Sequence, residues 1–134
     1  MAKETGIGMS ITMDDSGGSG RDISNDITNA DIAIPRTAQD TTGLDKSATE
    51  RLLGLADFSA TLSGVFDDAS NMAHDVFKTV ASTSVARTLA LAISGQTLSN
   101  EVFAMDYALA RATTGDLTFN VPCVLQSGTV PTWA

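Results

Sequence analysis

Residues 7–13, IGMSITM, alternate apolar with small or polar side chains, which puts Ile7, Met9, Ile11 and Met13 on one face of an extended segment. This predicts a strand. A second is predicted in ITNADIAIPR, where Ile32 and Ile34 share a side and Pro35, lacking an N–H, suits the strand's end. Residues 57–67, DFSATLSGVFD, alternate most cleanly. Phe58, Ala60, Leu62, Gly64 and Phe66 face one way and Asp57, Ser59, Thr61 and Ser63 the other, as in a sheet with one buried and one wetted face. The period then changes. In SNMAHDVFKTVAST, Met72, Val76, Phe77 and Val80 recur at helical spacing behind Ser70 or Asn71 as a cap, which predicts an α-helix with His74 off its apolar stripe.

The extended pattern returns in SVARTLALAISG, with Val85, Leu89, Leu91 and Ile93 on one face and Arg87 interrupting it. EVFAMDYALARATTGDLTFNVPCVLQ reads as a long hairpin turning at Thr113–Asp116. Its first strand sets Phe103, Met105, Tyr107 and Leu109 against Val102, Ala104, Asp106, Ala108 and Ala110. Its second sets Leu117, Phe119, Val121, Cys123 and Leu125 against Thr118, Asn120, Pro122 and Val124. The fold expected is mainly β: an antiparallel β-sandwich or barrel with one flanking α-helix, a single domain over residues 1–134.

Two stretches break the pattern. Residues 36–55, rich in Thr, Asp, Ala and Gly, predict a long loop of the kind that carries function, with SATE (Ser47–Glu50) at capping-box spacing for one helical turn. GGSGRD (Gly17–Asp22) matches the opening of a calcium-binding nonapeptide repeat. One copy supplies only part of a coordination shell, and Ser24 stands where the repeat needs a large aliphatic. A Gly/Ser turn accounts for the same letters.

Charge narrows the function. Eight Lys and Arg against sixteen Asp and Glu give a net charge of −8, with the cations scattered singly, so no basic stripe exists to neutralise phosphates. No apolar run approaches the roughly 20 residues of a membrane span, and MAKETGIGMS lacks the zones of a signal peptide; the expectation is a protein made and kept in a cytoplasm, or one that leaves by a route needing no signal. Cys123 and His74 are single, and no nucleophile elbow is present, so no catalytic, cofactor-binding or metal-ligating residue is expected, and no enzyme. Trp133 in the short tail is expected to cover a core edge or a neighbouring subunit.

The segment TTGLDKSATERLLGLADFSATLSGVFDD, Thr41 to Asp68, resembles the central signature of the major tail tube proteins of long-tailed (siphovirus-type) bacteriophages. Gly54, Leu55 and Asp57 match its G-L-x-D motif, and Leu62, Ser63, Gly64, Phe66 and Asp67 match L-S-G-x-F-D. DISNDITNADIAIPR resembles the strands that precede the loop. The resemblance implies a tail-tube-like fold closing into hexameric rings that stack into a hollow tube, the conduit for DNA ejection. It implies the chain itself as main partner, with tail terminator, tape measure and tail-tip proteins, in a virion tail assembled in the host cytoplasm. DNA would cross the lumen without tight binding, and no membrane would be involved.

On that reading the 36–55 loop is the contact between rings, with Asp40, Thr41, Thr42, Leu44, Asp45, Lys46, Glu50, Arg51 and Leu53 as candidate interface residues. Asp106, Asp57, Ser59 and Thr61 are candidates for the lumen, where carboxylates and hydroxyls repel phosphate or leave it free to slide. Rings of contractile secretion systems and gene-transfer particles share the implied fold and form one alternative. A monomeric small-ligand β-barrel is the other, disfavoured by few aromatics and no convergent polar set.

Overall fold

The computed structural model describes Lys3 and residues 5–134. Ten strands and one short helix follow in order: β1 Ser10–Asp14, β2 Gly20–Asp22, β3 Ile27–Ala33, β4 Arg36–Asp40, β5 Arg51–Ala56, β6 Ser59–Val65, α1 Ala73–Phe77, β7 Arg87–Ile93, β8 Gln96–Ala104, β9 Ala108–Arg111 and β10 Leu117–Leu125. The larger sheet runs β2-β1-β7-β8-β10-β6-β3, with β9 beside β10, and every pairing is antiparallel. β10 is the pivot. Along one side it pairs with β6 from Thr118 to Val124; along the other, Leu117–Asn120 pair with β9 and Cys123–Leu125 with the end of β8.

The core follows from period two. Ile11 and Met13 of β1, Ala60 and Leu62 of β6, Leu89 and Leu91 of β7, Leu98 and Val102 of β8, and Phe119, Val121 and Cys123 of β10 are buried together, with Ala73, Val76 and Phe77 of α1 packed among them. Burial pushes the Cys123 thiol up to about 12, so it packs as a neutral small hydrophobe. The mainly β, antiparallel fold expected from the alternation is therefore the fold observed.

Several local expectations change. β1 starts only at Ser10, leaving Ile7 87% exposed in the turn before it. The helix is five residues long and is capped by neither Ser70 nor Asn71: its Ala73 amide donates to Asp26 Oδ2 at 3.0 Å, and Asn71 is in the left-handed region at φ 65°. It stops early because Arg87 Nη1 donates to the Val76 carbonyl, and the Val80 amide turns to Phe77 instead. Arg87 does not interrupt the apolar face of β7. It lies on it, 2% exposed, and also donates to Asp14 O and Thr79 Oγ1 at 3.2 Å, so its polar fork is satisfied by the helix end and β1.

The first strand of the long hairpin is two strands. β8 turns back on β7 through Ser94 and Gly95, both with positive φ, and takes its register from it, pairing Leu91 with Leu98 and Arg87 with Val102. Its faces are thus the reverse of those expected: Leu98 and Val102 are buried, while Phe103 and Met105 are 40% and 62% exposed. After the break at 105–107 the chain reverses sides, and the Tyr107 ring joins those of His74, Phe77 and Phe119. The turn before β10 holds as expected, with Gly115 at φ 98°.

GGSGRD forms the β1–β2 turn, as expected: Asp15 Oδ1 accepts the Gly17 and Ser19 amides, Gly18 takes φ 85°, and Asp22 Oδ1 is taken by the amide and hydroxyl of Ser24. Trp133 bridges to Leu98 and remains 48% exposed. Among the described residues no helix is long and apolar enough to cross a membrane.

Candidate functional site: an exposed arm and a polar sheet face

Residues 36–55 are a β-hairpin arm rather than a loop. β4 and β5 make a sheet of their own, pairing Ala38 with Leu53, Gln39 with Leu52 and Asp40 with Arg51, with a bulge between Arg36 and Ala38. Gly54 sits opposite that bulge, where a Cβ would stand 2.6 Å from Thr37 Oγ1. Thr42 closes the tip: its hydroxyl donates to Asp40 Oδ1 and accepts the Glu50 amide at 2.8 Å, while the Thr41 amide donates to the Glu50 carbonyl. The hydroxyl and then the amide of Thr42 lower the Asp40 pKa. Ser47–Glu50 form no helical turn.

Every residue from Pro35 to Leu53 is exposed. Leu44, Leu52, Leu53 and Leu55 are 107%, 63%, 63% and 91% exposed. A two-stranded hairpin with no core is marginal alone, and leucines presented this way fit a surface that another chain covers. All nine candidate interface residues lie on this arm: Asp40, Thr41, Thr42, Glu50 and Arg51 at its closure, Leu44, Asp45 and Lys46 at its tip, and Leu53 on β5.

The second surface is the outward face of β3, β6, β10 and β9. The registers build four rows across it: Ala33–Ser59–Val124, Asp31–Thr61–Pro122, Asn29–Ser63–Asn120–Ala108, and Val65–Thr118–Ala110. Ser63 Oγ donates to Asn120 Oδ1 at 2.9 Å. Small hydroxyl, amide and methyl groups dominate these rows, with Asp31 the single charge. Ser59 and Thr61 are therefore together on one face. Asp57 and Asp106 are exposed but lie outside the strands, each carboxylate accepting the amide of its successor, Phe58 at 2.7 Å and Tyr107 at 2.8 Å. Asp31 and Asn29 were not foreseen on this face, because nothing in ITNADIAIPR tells that β3 is the neighbour of β6.

Among the described residues no Ser–His or Cys–His pair is brought together. His74 lies between aromatic rings, 4.8 Å from Phe66, with Nδ1 3.1 Å from Tyr107 Oη, and burial raises the tyrosine's pKa. Among the described residues no group of three His, Cys, Asp or Glu is placed to hold a metal ion.

No family model matches this sequence, and no curated protein does. Solved structures do match. A chain from the tail of an empty gene transfer agent particle, refined helically with C6 symmetry, aligns at TM-score 0.80 with 16% identity over 98% of this chain and 99% of its own. One from the virion of the native particle aligns at 0.79 with 14% identity over 98% and 99%. A chain from the six-fold symmetrised baseplate of the anti-feeding prophage aligns at 0.68 with 9% identity over 100% and 97%. The fold is thus one found in phage-tail-like particles, and it is shared from end to end.

Proposed function

We propose that this chain is a structural, non-enzymatic subunit of a phage-tail-like tube, self-associating into hexameric rings that stack around a channel for DNA. The observation that carries the proposal is the end-to-end match to chains of six-fold tail assemblies. Such rings need heterologous contacts, one surface of a subunit meeting a different surface of the next. The arm supplies a projecting surface of that kind.

The polar face of β3, β6, β10 and β9 lines the channel. DNA in transit needs a wall that does not condense phosphate, and rows composed mostly of Ser, Thr, Asn and Ala, with Pro122, Val65 and Val124 among them and one carboxylate, provide it. The arm makes the contact between rings and is mobile until a neighbour orders it. The site of action is the virion tail. A gene-transfer particle is the favoured setting over a long-tailed phage, because two of the matched chains come from such particles.

Electron microscopy of the purified protein tests this reading. Hollow tubes or six-fold rings are expected; monomers at every concentration would rule it out.

A further inference from the structure

The layer with the polar face has two open edges. β3 pairs only with β6 and β9 only with β10, and among the described residues no strand lies beyond either. Three antiparallel pairings separate them, so the two edges run antiparallel to each other. An edge of this kind is a template for another strand.

The ladders fix which residues each edge offers. The Ala112 amide donates to Asp116, and alternate residues of an antiparallel ladder turn the same way, so Ala110 and Ala108 bond β10 while Leu109 and Arg111 turn their N–H and C=O outward. On the other edge the Asp57 amide donates to Pro35, so Ala33, Asp31 and Asn29 bond β6 while Ile32 and Ala30 turn outward. Leu109 stands opposite Phe119 and Ala30 opposite Leu62, both buried, so on each edge the outward main chain belongs to residues whose side chains are on the core side. The two edges are therefore in phase. Joined through these groups, they keep core side with core side and polar face with polar face; a shift of one residue would turn a polar face inward.

The side chains agree with the backbone. Leu109 is on the core side of β9 yet 48% exposed. Beside β3 a groove of about 190 Å³ opens, with Met9, Ile11, Ile27 and Ala30 among its walls. One copy cannot join its own edges, which lie three strand spacings apart, roughly 14 Å. Resting on the ring reading above, we infer that β9 of one copy pairs with β3 of the next, with Leu109 opposite Ala30 and its side chain seated in the groove of Met9, Ile11 and Ile27. The contact joins two different surfaces, so it repeats from subunit to subunit. It also carries the polar face across the junction, setting Ala108 beside Asp31 and Ala110 beside Asn29.

Cross-linking tests this junction. Ala110 and Asn29 would form a non-hydrogen-bonded pair with Cα atoms about 4.5 Å apart, within reach of a disulfide. Oxidised Asn29→Cys/Ala110→Cys protein should give covalent oligomers that neither single variant gives, the native Cys123 being buried. Asp31→Cys/Ala110→Cys, the pair formed if Leu109 stood opposite Ile32, should give none. Leu109→Asp should melt within a few degrees of wild type, since the side chain is half-exposed in the single subunit, and should raise the concentration needed for assembly about tenfold or more. Tubes in which positions 29 and 110 do not link, linkage through position 31 instead, or Leu109→Asp assembling at the wild-type concentration would overturn the junction and leave the tube reading standing. Wild-type protein that never assembles overturns both.

Discussion

Asp26 Oδ2 accepts the Ala73 amide at 3.0 Å, so a buried carboxyl from one end of the sheet starts a helix 47 positions further along the chain. Burial, foremost, and the neighbouring Asp67 carboxyl raise the Asp26 pKa above its ordinary 3.8. The native state therefore holds this proton more tightly than the unfolded chain does. Its contribution falls as pH rises from 3.8 to the raised native value and is level above it. Asp15, Asp22 and Asp75, lowered by hydrogen bonds, act in the opposite sense and below 3.8. Asp26→Asn keeps an acceptor for Ala73 and removes the titration. In urea unfolding, the difference between wild type and Asp26→Asn should shift in favour of the variant as pH is raised from 4 to 7. A pH-independent difference would contradict it.

Gly64 meets the backbone of the same residue. A Cβ there would lie 2.0 Å from the Asp26 carbonyl oxygen and 2.9 Å from Phe119 Cζ. Gly64→Ala should destabilise by about 3 kcal/mol or more, because main chain must move. Gly43→Ala, whose nearest atom is the exposed Asp45 side chain at 3.0 Å, should fold as wild type does. Chemical denaturation of the pair gives the comparison.

Arg87 ties the end of α1 to β1 through carbonyls rather than through a carboxylate. Arg87→Ala should lower stability by about 3–5 kcal/mol, leaving a void and two unmet acceptors. Arg87→Lys should rescue little, since one ammonium does not reproduce the fork. Equal stability of Arg87→Lys and wild type would contradict this.

The arm contributes nothing to the core. Deleting Thr41–Ala48 should leave the melting temperature within a few degrees of wild type and abolish polymerisation. Tubes of normal length from the deletion would remove the arm from assembly.

These predictions lean on features of unequal visibility in the sequence. The buried faces of β6 and β10 were legible because both strands have one dry and one wet side, and Leu62 or Val121 can take no other place. In β8 the letters mislead, because its register comes from β7 through the Ser94–Gly95 turn, which reverses the face that Phe103 and Met105 suggest. Arg87 was hidden because two of its partners are backbone carbonyls, which leave no mark in the letters, and the third is the single hydroxyl of Thr79. The arm looks like a loop in the sequence for a related reason: with neither side buried, no core imposes period two on β4 or β5. The polar face needed the pairing of β3 with β6, which alternation alone does not specify.

The measurement that bears most directly on the central claim is a helical reconstruction of the polymer. The account predicts stacked six-fold rings around an open channel, with Ser59, Thr61, Ser63 and Asn120 facing the bore and the arm bridging successive rings. A solid filament, or a tube with that face turned outward, would contradict it.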